Sequence, residues 1–375
     1  MKGVAVSAIA IRRRRASRQG QGVAGWVFVT PVVIILGLFL LVPIVMALWV
    51  SVSDWSGSGS PFTAQVHFVG GKNYTSVLNG QGLTAQTFGL AVRNNLYYVL
   101  YVVPLQTALS LFLAVMVSRR AMKGRNFFRM AFYFPSVTSS VAITVLWLFL
   151  FSGAGVVNKV LSYFSIHGPD WFNDPNGVGT KVFHLHETGW LASGNFLGID
   201  WYQWLAGPSV AMSAFIIMAI FTTSGTFMLL FIAALQNIGE DTEEAALIDG
   251  AGAWARFRYV TLPLLRPTLY TVITLGVIGT WQIFDQVWIG THGGPAYTTT
   301  TPAYMAYDTA FSGNWGKGAA IAFILFGIII VMTILQRFIL GEADATKMSR
   351  RDLRRDRAQR AASLVALEKT EQGGL

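Results

Sequence analysis

The sequence predicts an all-α integral membrane protein with six transmembrane helices, and three observations carry that prediction. Hydrophobic residues fill 53% of the 375 positions and charged residues only 12%, about half of the roughly 25% usual in a soluble domain. Six apolar stretches approach or exceed the roughly 20 residues that a helix needs to cross the hydrocarbon core. Lys and Arg gather in alternate connections between those stretches, the pattern set by the positive-inside rule.

In order, the stretches cover about 23–52, 94–117, 127–151, 209–235, 269–289 and 318–340. Pro31, Pro43, Pro104 and Pro135 fall within the first three, and each predicts a kink that neighbouring helices must accommodate. The first stretch follows Arg12–Arg15 like a signal peptide. Its apolar run exceeds the usual 7–15-residue core, however, and no small-residue cleavage site closes it, so it reads as an uncleaved helix.

Orientation follows from charge. The N-terminal tail carries six Lys and Arg residues, the connection between spans two and three carries five, the next on that side three, and the C-terminal side nine. Only Lys72, Arg93, Lys159, Lys181 and Lys317 lie opposite. Both termini are therefore expected on the cytoplasmic side of the membrane. The net charge of +10 becomes a record of topology, leaving little to suggest nucleic acid. The expected organisation is a basic tail (1–22), a first helix (23–52), an extracytoplasmic loop (53–90) and a five-helix core (91–338). That core holds an outward insertion (152–208) and a cytoplasmic loop (236–268), and a second basic tail (339–375) follows it. The C-terminal tail, with Arg350, Arg351, Arg354, Arg355 and Arg357, carries charge suited to a solvated helix near anionic lipid headgroups.

The cytoplasmic loop contains the most unusual segment. Glu244, Ala245 and Ala246, then Asp249 and Gly250, then Val260 and Leu262-Pro263, form a polar run between two apolar spans. Asp241 stands where it can cap a helix with Glu244 at the third position. Ala245 and Ala246 keep one face small enough for close approach by another protein. Gly250 suits the left-handed turn that ends a helix. A second short helix is expected from Ala253 to Val260, broken at Leu262-Pro263. The product is a stiff elbow joined to two spans, which can transmit rigid-body motion.

This segment resembles the docking loop of ABC importer permeases, and the likeness continues on both sides. Ala234-Leu235-Gln236-Asn237-Ile238 before it, and Phe284-Asp285, Thr291-His292-Gly293-Gly294-Pro295 and Thr299 after it, resemble the maltose-type carbohydrate importers. So do Asn94-Asn95, Arg125, Phe127-Phe128-Arg129, Pro135 and Trp147. The resemblance spans about 91–337. Val260 stands where Ile is common, the Trp-rich stretch 171–204 is longer than the family pattern, and both tails fall outside it. The resemblance implies a type I ABC importer permease fold with a coupling-helix loop. It also implies a non-catalytic subunit working with a second homologous permease, a dimer of ABC ATPase subunits and an extracytoplasmic sugar-binding lipoprotein. ATP and Mg would belong to the ATPase. No Gly-x-x-x-x-Gly-Lys-[Ser/Thr] phosphate loop occurs in this chain.

Sugars are held by polar side chains and flat aromatic faces, both costly inside an apolar span. The fourth span carries Phe221, Thr222, Thr223 and Thr226, and the fifth carries Thr280, Trp281 and Gln282, with Asp285 one turn further on. In the maltose-type family the matching stretches hold substrate near mid-membrane, which makes these residues the expected path. The hydroxyls equally suit bonds to their own helix carbonyls or contacts between helices. Asp285 equally suits a helix end. His184-Leu185-His186-Glu187 mimics a metal motif, but four ligands cannot be counted there. The alternative function is a self-contained secondary transporter or channel, which needs intramembrane ionisable groups. Asp285 alone is a thin basis for one. A membrane enzyme needs a clustered acid, base, nucleophile or metal, and the spans show none.

Overall fold

The computed structural model describes residues 25–79, 82–118, 123–183 and 195–340. Residues 1–24, 80–81, 119–122, 184–194 and 341–375, and with them most of both basic tails and the His184–Glu187 motif, lie outside the described residues. Four helices are long and apolar enough to cross a membrane, and up to six spans result if each of two sharply bent helix pairs counts as one.

The four long helices are α1 (Gly25–Ser51), α3 (Leu83–Ser118), α9 (Val210–Gln236) and α15 (Trp315–Leu340). A short α2 (Lys72–Leu78) precedes α3. Helix α3 starts well before the expected 94, so the last residues of the expected outer loop are helix. Its extra turns bury Phe88 and Ala91 against Met305, Ala306 and Ile321. The expected third span is α4 (Arg125–Val137) followed by α5 (Ser140–Leu150), bent by 99°. Pro135 sits inside α4 without ending it. The break falls instead at Thr138 and Ser139, whose backbones are extended.

The outward insertion is ordered in its described parts. It contains α6 (Val156–Tyr163), α7 (Val178–Phe183), a two-stranded hairpin of β1 (Asn195–Phe196) with β2 (Ile199–Asp200), and α8 (Trp201–Leu205). Beyond α9 come α10 (Glu240–Ile248), α11 (Ala253–Leu264) and α12 (Arg266–Trp281), the last two bent by 67°. The expected fifth span does not continue to 289. Its helix stops at Trp281 and the chain restarts as α13 (Asp285–Gly290) and α14 (Pro302–Phe311).

Helix α9 is the central pillar. Its inner face buries Met212, Phe215 and Met218 with Tyr98, Ile143 and Trp147, and lower down Met228 and Phe231 with Leu113 and Val272. Gly225 lets α4 come close: a Cβ there would lie 2.2 Å from the Phe132 carbonyl oxygen, the small-residue contact that membrane helices use in place of hydrophobic drive. By contrast, the outer wall is apolar and uncovered. No part of the most apolar stretch of α1 is buried, and Trp26, Phe28 and Phe39 stand exposed.

Two prolines show how the chain tolerates missing donors. One turn of π-helix, Gly37–Leu41, immediately precedes Val42-Pro43, and another, Phe257–Thr261, precedes Leu262-Pro263. A widened turn relieves the clash between a proline ring and the carbonyl four residues back. Leu262-Pro263 therefore does not break the helix at the expected place. Helix α11 runs through it to Leu264 and bends at Leu265, which is fully buried.

Candidate functional site: a polar cleft and an exposed elbow

Polar groups collect at three places: a cleft among the central helices, a threonine-rich turn at one end of α9, and the α10–α11 elbow at the other. At 1.5 Å per residue, the 27 residues of α9 hold the last two about 40 Å apart.

The cleft, ≈ 290 Å³ in volume, lies between α3, α9 and α12 and opens beside α13. Thr222 and Thr223 from α9 line it, as do Thr280, Gln282 and Asp285. A second cleft of ≈ 270 Å³ adjoins it, lined by Ser136, Thr138 and Ser140 from the α4–α5 break together with Thr226. Thr222, Thr223, Phe227 and Gln286 wall both. The spacing of 222, 223, 226 and 227 places them on one helical face.

The expected path residues divide accordingly. Six of the eight border a cleft. Phe221 lies one step off that face, half-exposed beside Trp147 at 5.9 Å between ring centroids, and lines neither. Trp281 is a correction. It is 1% exposed and packs with Val103, Val277 and Leu325, away from the cleft. Each residue turns about 100° around a helix, so Thr280 and Gly276 face the cleft while Trp281 follows Val277 onto the opposite side. Several hydroxyls also serve their own helices. Thr222 lies 2.9 Å from the Met218 carbonyl and Thr280 2.7 Å from that of Gly276.

Gln106 is the residue the sequence reading missed. It is 1% exposed on α3, and its Oε1 lies 2.5 Å from the Thr223 hydroxyl. Its Nε2 has no hydrogen-bond partner and sits where a Cβ on Gly276 would approach to 2.6 Å. A buried amide donor left unpaired costs about 1–3 kcal/mol, and this one borders the cleft. The available signal was an amide side chain among the apolar residues of 99–105, which is rare in a span without a reason. Asp285 is not deep within a helix. It is the exposed first residue of α13 and accepts a 2.8 Å hydrogen bond from the Ser140 hydroxyl.

The turn at 291–301 is a closed knot. Thr291 and Thr299 share a 2.6 Å hydroxyl contact, Thr299 donates to the Gly294 carbonyl and Thr300 to that of Gly293. Thr301 donates to the Ile283 carbonyl and caps α14 at Tyr304. From α3, the Asn94 amide donates to the carbonyls of Tyr297 and Thr300. Thr299, Thr300 and Thr301 are buried. Gly293 has φ +79°, and a Cβ there would meet Thr300 Oγ1 at 2.6 Å and Tyr304 at 2.9 Å.

The elbow is open. Gly250 has φ +76°, its N–H donates to the Leu247 carbonyl, and the Ala251 N–H donates to that of Ala246. This is the paired closure that a left-handed glycine gives a helix end. Asp241 is a further correction. Gly239 occupies the cap position of α10 and no side chain caps it, because the helix begins before Asp241 and draws that residue into its first turn. A carboxylate there still favours the positive helix terminus. Glu244, Ala245 and Asp249 are exposed, Ala246 is buried, and Leu262 and Pro263 are half-buried. Leu247, Ile248, Trp254 and Tyr259 stand out from the same elbow.

A polar cleft inside an apolar helical bundle defines a membrane translocation subunit. The chain belongs to the binding-protein-dependent transport system inner membrane component family, whose pattern matches residues 106–340. It is 30% identical over 339 residues to a lactose transport system permease protein of Rhizobium radiobacter, covering 89% of this chain and 99% of that one. It is 28% identical to a trehalose/maltose transport system permease protein of Thermococcus litoralis, with 83% and 91% covered. Among solved structures, a bacterial ABC transporter involved in import of the acidic polysaccharide alginate shares the fold. Its TM-score is 0.66 at 17% identity, with 88% of this chain and 99% of that chain covered.

Proposed function

We propose that this chain forms half of the path of an ATP-driven, binding-protein-dependent importer for a di- or oligosaccharide or related polyol. Its partners would be a second, homologous permease, an ABC ATPase dimer bearing the ATP and Mg, and an extracytoplasmic sugar-binding protein. In this reading both termini and the elbow face the cytoplasm, and the knot and the 152–208 insertion face outward. The observation that carries the proposal is the cleft around Gln106, Thr223 and Thr280 with its unpaired amide donor. Rotation of the Gln106 amide, whose Nε2 is enclosed in this conformation, would turn that donor to a sugar hydroxyl, which can donate to the threonine oxygens in return.

The elbow supplies the drive. Glu244, Ala245, Ala246, Asp249 and Gly250, with Leu262 and Pro263 behind them, would seat on the ATPase. Closure of the ATPase dimer would move α10 and α11 together. Helices α9 and α12, joined to the elbow's two ends, would then reshape the cleft that they wall. The chain itself performs no chemistry in this scheme. Relatives supply the sugar class, and the cleft's polar donors and acceptors, with Asp285 the one carboxylate among them, suit it.

Gly279 lines the cleft and no atom lies within 4 Å of a Cβ built there, so a large side chain fits into open space. Gly279→Trp in the complete importer, reconstituted in vesicles with labelled sugars, is expected to cut uptake more than tenfold with unchanged thermal stability. Undiminished uptake by this variant rejects the cleft as the path.

A further inference from the structure

We infer that the Ser140–Asp285 hydrogen bond is a latch that divides the substrate chamber in two, an inference that rests on the cleft being the sugar path. Its position carries the argument. Ser140 is the first residue of α5, directly after the break in the α4–α5 pair, and Asp285 is the first residue of α13, with only residues 282–284 between it and the end of α12. Two interrupted membrane segments, already packed along α5 and α13, are thus joined at their first residues by a 2.8 Å hydrogen bond between side chains 145 residues apart.

The same contact lies between the clefts. Asp285 lines the first and not the second; Ser140 lines the second and not the first. Thr222, Thr223, Phe227 and Gln286 wall both, so the Ser140–Asp285 pair stands where one space becomes two. At ≈ 290 and ≈ 270 Å³, each cleft falls just short of the roughly 300–1,000 Å³ usual for a small-molecule site. Joined, they enter that range.

The chemistry suits a contact that opens and closes. A serine hydroxyl bonded to an exposed carboxylate is a modest interaction, because water competes for both groups. Neither side chain is locked by burial, and the Ser139–Ser140 and Phe284–Asp285 junctions already have non-helical backbone on one side. Once released, the carboxylate presents two acceptor oxygens to the chamber, the fork that neighbouring hydroxyls of a pyranose ring engage. Thr138, Ser136 and Gln286 would complete the enlarged wall. Opening therefore exchanges an internal hydrogen bond for bonds to sugar, which lets substrate itself favour the open state.

Two measurements on the reconstituted importer test the latch. The first compares uptake by Ser140→Ala, Asp285→Ala and the double variant. One shared contact predicts that the double variant falls within twofold of the weaker single variant. Losses that multiply overturn the latch, since independent roles add in free energy. The second uses Ser140→Cys with Asp285→Cys, which is clean because this chain has no cysteine of its own. Oxidation, or a one-carbon bis-methanethiosulfonate bridge where the thiols stay free, is expected to cut uptake at least tenfold, with recovery on reduction. Bridged importer that transports within twofold of the reduced form overturns the proposal. Gly279→Trp separates the two readings: uptake lost there but kept by the bridged pair removes the latch alone and leaves the cleft standing.

Discussion

The knot at 291–301 and the elbow at 240–264 are both short polar segments between apolar helices, yet they are built in opposite ways. In the knot, hydroxyls of Thr291, Thr299, Thr300 and Thr301 meet one another or local carbonyls, and Asn94 pins the turn to α3. In the elbow, Glu244 and Asp249 point to solvent alongside uncovered Ile248, Trp254 and Tyr259. Polar groups that satisfy each other hold a shape; polar and apolar groups left open together describe a surface built for another molecule. The two segments share the αL-glycine device, at Gly293 and Gly250, but spend it differently. One glycine closes a buried turn, and the other ends an exposed helix.

The largest effect is expected from filling the knot. Gly293→Val combines an unfavourable positive φ with contacts at 2.6 and 2.9 Å, together costing about 3–5 kcal/mol. Loss of folded protein in detergent, read by size-exclusion chromatography, is the expected outcome. Recovery of Gly293→Val at wild-type yield would break the claim that the knot is architectural. Next comes Glu244→Lys in the elbow. If the elbow docks on the ATPase as proposed, reversing this charge is expected to reduce ATP-dependent uptake about 100-fold, while the melting temperature stays within about 2 °C of wild type. A variant that unfolds instead would erase the contrast between the segments.

Asn94→Ala sharpens the comparison from the other side. It removes hydrogen bonds from the Tyr297 carbonyl and the buried Thr300 carbonyl, a loss of about 1–3 kcal/mol. Thermal unfolding of the purified protein should register it as a lower midpoint, with the proposed ATPase contact of the elbow unaltered in a pull-down. Weakened ATPase capture with an unchanged midpoint would mean that the knot acts through the elbow.

Legibility followed the same division. The elbow was readable because its information is local: Gly250 ends a helix through its own φ, and Glu244 is displayed by the turn it sits in. Its start was misplaced because Gly239 could assume the cap geometry without any side-chain bond, leaving Asp241 unused. The cleft was legible where helical spacing governs, as with Thr222, Thr223 and Thr226. It failed at Trp281, since aromatic character alone does not say which way a helix is turned, and Val277 shows the side it takes. Gln106 escaped notice because its role depends on α3 touching α9, a pairing of partners 117 residues apart in sequence. Breaks were the least readable feature. Pro135 and Pro263 suggested them, but α4 runs past the first to Val137 and α11 past the second to Leu264, since a proline's missing donor can be absorbed by the helix around it.

The smallest expected effect lies in the insertion beside the knot and concerns pH. Asp174 and Lys181 form an ion pair there, and Asn176 donates backbone and side-chain hydrogen bonds to the same carboxylate. This turn joins the knot indirectly: Asn176 accepts from the Val210 N–H at the start of α9, and the neighbouring Ser209 hydroxyl reaches the Thr298 carbonyl at 3.4 Å. Desolvation tends to raise the Asp174 pKa, but the bonds from Lys181 and Asn176 together outweigh it and hold the carboxyl below its ordinary 3.8. A lowered folded-state value means that the stabilising contribution is full above about pH 3.8 and is lost as pH falls through the folded pKa. Because Lys181 is substantially exposed, the pair is worth less than about 1 kcal/mol. Lys181→Met should therefore lower the melting midpoint slightly at pH 6, and the gap from wild type should close in acid below pH 3.8. A gap that persists unchanged in acid would assign the loss to packing of the lysine stem rather than to charge. It would also place this turn with the knot, where neutral hydrogen bonds hold the shape at any pH.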